Sequence, residues 1–212
     1  MSLSQLQAEY DKLHAKHGDP NYAPIYFGGR TDHPQICFVF MNPTARNIAS
    51  HKSWTGQRAP WIGTKNTWKL FNSLDLIDPD LFAETQKRKS SDWDPIFADQ
   101  VYTDISSRGS YLTNLAKCTQ SDAKPLSDQV FREYLELFER EISIVQPTRI
   151  ITFGNQVSSV FLGQQINVSK CRGTAFTKTI ANQPFPVYPT YYPVGQGMRN
   201  LPLVISDLKK LI

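Results

Sequence analysis

Apolar residues recur along this chain with two spacings, and the change from one to the other marks its elements. Residues 4–17 carry an amphipathic helical pattern that ends at Gly18. Residues 36–41 form a short apolar run, which predicts a strand. A long loop rich in turn and aromatic residues is expected over 42–65, after which Asn66 or Thr67 caps a helix bearing Trp68, Leu70, Phe71 and Leu74. Residues 82–95 are charged and aperiodic, and the wider stretch 78–109 is expected to be an irregular surface excursion. A second strand is predicted over 110–117. A long helix is predicted within 125–146, with Phe131, Leu135, Phe138 and Ile142 on one face. Residues 149–153 predict a third strand, broken by Gly154. A helix over 156–162, a last strand over 185–191 and a closing helix over 201–211 complete the pattern. No internal repeat or low-complexity segment interrupts it.

Strands alternating with helices predict an α/β fold of three layers, α/β/α, around a mainly parallel four-stranded sheet. A chain of 212 residues suits one such domain, with residues 1–20 holding its N-terminal helix. In sheets of this kind ligands bind beyond the carboxyl ends of the strands. Those ends carry Met41, Asn42, Pro43 and Thr44, then Asn114 and Lys117, then Gly154 and Asn155, then Tyr191, Tyr192 and Pro193.

Composition narrows the function classes. The hydrophobic fraction of 40% fits a folded protein, and the run 36–41 is too short to cross a bilayer. Cys37, Cys118 and Cys171 are odd in number and widely separated, and no CxxC pair occurs. The spacing therefore suggests neither a disulfide framework nor a metal site, and a soluble protein of a reducing, cytoplasmic setting is expected. His14 and His17 share a helix face but lack further ligands, so they are read as solvated, and His51 as a loop histidine. The net charge is +4, yet residues 33–74 and 142–206 contain no Asp or Glu. Such segregation has two readings, chance in a mildly basic protein or attraction of a phosphate-bearing partner.

Four segments, in order, resemble the uracil-DNA glycosylase superfamily. Phe38, Val39, Phe40, Met41, Asn42 and Pro43 are similar to the first motif of its mismatch-specific and single-strand-selective branches. Ala59, Pro60, Trp61, Ile62 and Gly63 resemble a Pro-Phe-Val-Gly segment of the iron–sulfur branch. Tyr111 through Cys118 match that branch's strand, as does the downstream long helix with Gln146, Pro147 and Gly154. Pro189, Thr190, Tyr191, Tyr192 and Pro193, ending at Met198, Arg199 and Asn200, resemble the second motif. The departures are specific. Phe40 stands for the first glycine of motif one and Thr44 for the last, and Tyr192 replaces the usual histidine. Of four cluster cysteines only Cys118 has a counterpart, while Tyr134 takes the place of another, so no cofactor is expected.

The resemblance implies a monomeric, monofunctional enzyme that flips a base from single-stranded or mispaired DNA and cleaves its N-glycosidic bond. Asn42 would position the attacking water and Tyr192 would stabilise the departing base. Asn114 would read the base edge, Trp61 would stack on it, and Phe40 would lie at the base pocket or in the core behind it. Lys117 would add positive field and, with Thr44, Ser158, Ser159 and Arg199, contact DNA; Met198 would fill the space left by the flipped base. Two other classes compete. One is a catalytically silent nucleic-acid-binding module, which Phe40 and Tyr192 favour; the other is an enzyme of free nucleotides.

Overall fold

The apolar run at residues 36–41 becomes the inner strand of a sheet. The computed structural model describes residues 2–212. In chain order they form α1 (Leu3–His17), β1 (Phe27–Gly29), β2 (Ile36–Phe40), α2 (Asn66–Ser73), α3 (Pro79–Lys87), α4 (Pro95–Ser107), β3 (Ser110–Asn114), α5 (Asp128–Val145), β4 (Arg149–Phe153), α6 (Asn155–Leu162), α7 (Val168–Cys171), β5 (Phe176–Ile180), β6 (Gln183–Thr190) and α8 (Leu201–Leu208). Short 3-10 turns occupy Ile48–Ser50, Ser90–Asp92 and Gly195–Asn200.

All five residues of β2 are buried because both faces of the sheet are covered. Phe38 and Phe40, with Leu112, Ile151 and Phe153, face the layer built by α2, α4 and α8. Cys37 and Val39, with Tyr111, Ile150 and Val187, face α1, α5 and α6. The sheet order is β1-β3-β2-β4-β6-β5. The four inner strands are mutually parallel, in keeping with the expected core, and their carboxyl ends lie along one edge.

The sheet has six strands rather than four, because an antiparallel strand is added at each side. β1 is only Phe27, Gly28 and Gly29, too short and glycine-rich to carry a pattern. β5 joins β6 through Ala181 and Asn182, both with positive φ (49° and 65°), as a type I′ hairpin turn requires. Ala-Asn is not the usual sequence signal for that turn.

The stretch 78–109 is not an irregular excursion. It folds as α3 and α4, each opened by the same device of a capping Asp followed by Pro in the first turn. Asp78 accepts from the amides of Asp80 (2.9 Å) and Leu81 (3.2 Å), and Asp94 from that of Phe97 (2.8 Å). α4 buries Phe97, Val101, Tyr102 and Ile105. Charged neighbours had masked this apolar face.

α1 packs on α5. Glu9 pairs with Arg140 at 2.7 Å, and Glu133 with Lys16 (2.6 Å) and His17 (2.7 Å). The sequence expectation of solvated His14 and His17 does not hold: His14 is buried against Tyr22, whose carbonyl lies 3.0 Å from its Nε2, and His17 is largely covered against Glu133. No helix among the described residues is long and apolar enough to cross a membrane.

Candidate functional site

A cavity of about 610 Å³ opens at the carboxyl edge of the parallel strands. Its wall comes from the chain leaving β2 (Met41, Asn42, Pro43, Thr44), from Pro60, Trp61 and Thr67, from Asn114 at the end of β3, and from Tyr192 and Val194 beyond β6. Arg46, Lys65 and Lys124 also line it, and among the described residues no Asp or Glu does. The acid-free composition of the first loop is thus a property of the cavity wall.

The wall is held by side chains that bond to backbone. Arg58 donates to the carbonyls of Ala49, His51 and Trp54, and Asn47 to that of Ala59 (2.8 Å). Arg58 is therefore spent on ordering the loop rather than offered to a partner. The loop after β2 is zipped to the segment after β3, where Ala45 N donates to Gln120 O (2.8 Å) and Gln120 N to Pro43 O (3.1 Å).

Three buried polar atoms on this wall have no hydrogen-bond partner: Asn114 Nδ2, Trp61 Nε1 and Thr67 Oγ1. A buried donor left unpaired costs about 1–3 kcal/mol. Trp68 Nε1 and Ser110 Oγ, away from this wall, are unpaired too, but those on the wall face a space that a ligand can enter. Asn114 is 2% exposed and pairs with Phe40 across the sheet. Its side chain makes no hydrogen bond within the described residues, while its backbone carbonyl accepts from Lys117 Nζ at 2.6 Å. The unpartnered amide can donate to and accept from a planar ligand edge.

Trp61 holds a φ of 71°, a strained region for a bulky residue. The turn is fixed from behind, with Thr64 donating to the Trp61 carbonyl through its amide (3.1 Å) and hydroxyl (2.8 Å). The indole meets the Phe40 ring edge-on at 4.9 Å, and Phe40 stacks on Phe153 at 4.7 Å. Phe40 is fully buried and contributes nothing to the cavity wall. It therefore cannot touch a bound base, contrary to the base contact entertained for it; it is the core support of Trp61, and the cavity stays open.

Asn42 sits at the wall with its Nδ2 donating to the Pro43 carbonyl at 3.1 Å, which leaves its oxygen free to accept from water. Tyr192 contributes a half-buried phenol, its ring 6.4 Å from that of Phe40. Burial raises its pKa, so at neutral pH it is a protonated donor. Gly197 lies so close behind it that a Cβ would sit 1.8 Å from the Tyr192 carbonyl oxygen. Thr44 and His51 reach the cavity wall as well.

Other expected contacts fall elsewhere. Lys117 is fully buried and paired with Glu141 at 2.9 Å, so it cannot reach a phosphate. Ser158 is buried too, its hydroxyl donating to Gly154 O (2.7 Å) beside Thr152, and Ser159 bonds the backbone of Ile166. Neither is placed to bind DNA. Met198 and Arg199 lie in the 3-10 turn after the last strand, outside the cavity wall, with Arg199 exposed. Among the described residues no three His, Cys, Asp or Glu side chains converge on a metal position, and the donors around Cys118 do not fit a cluster.

Sequence reasoning missed Thr67 as a wall residue, having read it as a helix cap, and missed Glu141. The latter sits seven positions after Tyr134 and three after Phe138 on the buried stripe of α5, a carboxylate in an apolar row. That anomaly was visible.

At the strand ends of this α/β protein a basic-rimmed cavity thus meets an unpaired amide. The model of the uracil DNA glycosylase superfamily matches residues 27–204, and the chain belongs to that family. Members of this superfamily are typically N-glycosidic bond hydrolases that bind DNA. No curated protein matches the chain.

Proposed function

We propose that the protein is a DNA glycosylase that releases uracil or another deaminated base from single-stranded or mispaired DNA. The observation that carries the reading is the unpartnered Asn114 amide at a cavity otherwise fit for a planar base. A flipped base enters beside Trp61, whose ring offers a stacking face contributing about 1–3 kcal/mol. Asn114 donates to one exocyclic oxygen and accepts from the neighbouring ring N–H, a pattern that deaminated bases present.

The C1′–N bond then breaks with its electron pair leaving on the base, and an oxocarbenium-like sugar remains. Water held by the Asn42 oxygen adds to C1′, and its proton passes through solvent to the departed base anion, which ends as the neutral free base. An amide is not a base of useful strength, and no carboxylate lines the cavity. The main contribution is therefore stabilisation of the leaving anion by Asn114 and the Tyr192 hydroxyl. One preorganised donor of this kind supplies roughly 2.7–4 kcal/mol. Arg46 and Lys124 at the wall attract the flanking phosphates, while the Lys65 ammonium donates to the Gln86 carbonyl.

Oligonucleotides carrying uracil, hypoxanthine or xanthine, single-stranded and mispaired, test this when followed by alkali cleavage at abasic sites. Cleavage that Asn42→Ala and Tyr192→Phe both reduce supports the assignment. A second reading, a silent DNA-binding module, draws on the neutral Tyr192 where the family has histidine. Salt-sensitive DNA binding without cleavage at high enzyme concentration would favour it.

A further inference from the structure

Lys117 and Glu141 form an ion pair wholly withdrawn from water. Such pairs are a poor source of stability, since desolvation offsets their attraction and apolar replacements are often neutral or better. The surroundings point to another role. Glu141 accepts from the hydroxyls of Tyr10 on α1 (2.8 Å) and of Thr113 (2.6 Å) and Tyr111 (3.1 Å) on β3. The Lys117 ammonium, held by that carboxylate, donates to the backbone carbonyl of Asn114.

Alternation along β3 puts Tyr111 and Thr113 on the α1–α5 face, and Leu112 and Asn114 on the other. The charged network thus grips the last residue of β3 from behind, while its amide stands at the cavity in front. A charge-assisted bond to the Asn114 carbonyl restrains the peptide that sets its Cα–Cβ direction. Beyond Asn114 the chain leaves the strand, with Leu115 N donating to Phe40 O (2.9 Å) and Ala116 N to Met41 O (3.0 Å), so these bonds fix the backbone amides while the Lys117 ammonium fixes the Asn114 carbonyl between them.

We infer that the buried Lys117–Glu141 pair, closed by Tyr10, is a positioning device for the Asn114 amide, and that α1, which precedes the family match, thereby serves the site. The inference rests on Asn114 reading the base. Its test is the full-length double variant Lys117→Met/Glu141→Leu, which removes both charges at similar volume.

This variant leaves the Tyr10, Tyr111 and Thr113 hydroxyls without their acceptor, so its thermal midpoint falls below wild type, and in the folded protein base release drops on the order of 10–100-fold, in kcat rather than KM. The 15N–1H signals of the Asn114 side-chain amide, sharp in wild type, broaden or double. Tyr10→Phe, which removes one hydroxyl, shows the same changes in smaller measure and carries the test if the double variant does not fold. A stable double variant that releases base at the wild-type rate overturns the inference. If wild type releases no base, the functional reading has failed on its own. The Asn114 signals then decide the positioning role, and unchanged signals overturn it.

Discussion

Replacing Asn114 by alanine should separate recognition from stability. The Asn114 side chain makes no hydrogen bond among the described residues, so its removal breaks none of theirs. Deleting an unpaired buried donor relieves about 1–3 kcal/mol, and the small void left behind costs a comparable amount. The net change is then within about 1 kcal/mol, a shift of roughly 2–4 °C for a chain of this size. Base release loses two hydrogen bonds, of which the one donated to the exocyclic oxygen strengthens as charge builds on the base. At about 1.5–3 kcal/mol each they amount to roughly 10²–10⁴ in rate. Calorimetry beside single-turnover base release reads both quantities. Release within threefold of wild type would refute the recognition role. A fall in midpoint of more than ~8 °C would show that the amide supports the fold instead.

Other perturbations test the frame around it. Phe40→Ala should cost about 3–5 kcal/mol in urea unfolding and lower base release by loosening Trp61; a faster enzyme would mean that Phe40 had been filling the base pocket. Arg46→Ala and Lys124→Ala should each reduce the slope of log K against log salt for DNA binding by about 0.7–1, with no change in base preference; unchanged slopes would remove both from the phosphate path. Hydrogen bonds from Arg140 hold the Glu9 carboxyl below its ordinary range, and those from Lys16 and His17 do the same for Glu133. These clamps of α1 on α5 act in full above the unfolded carboxylate value of about 4.3, and are lost as pH falls through the lower folded values. Stability measured against pH should therefore decline below that point. Glu9→Gln/Glu133→Gln should flatten the decline, and an equal decline in the variant would contradict the assignment.

What the sequence revealed follows from which forces are local. β2 and β4 are short apolar runs, and α5 repeats Phe131, Phe138 and Ile142 at helical spacing, so each announces itself. Asn42, Asn114, Trp61 and Tyr192 were found through motif order, and the fold brings all four to one cavity. β5 stayed hidden because its identity depends on pairing with β6 and on a turn that forces alanine into a left-handed conformation. α3 and α4 had legible Asp-Pro starts, but their charged faces outweighed them. Lys117 was misread for a different reason. A lysine after a strand looks exposed unless its partner is known, and Glu141 lies on another element facing the opposite side of the sheet from the cavity. Phe40 was ambiguous because a sequence does not show what covers the end of a strand, and its packing between Trp61 and Phe153 decides for the core.

The central claim is that this cavity receives a base from DNA and that Asn114 reads it. The most direct measurement is mass-spectrometric detection of free base after incubating excess enzyme with a single-stranded oligonucleotide bearing one uracil, hypoxanthine or xanthine. The account predicts stoichiometric release of at least one of these bases by wild type and none above background by Asn114→Ala. No free base from any of the three with wild type, or equal release by Asn114→Ala, would contradict it.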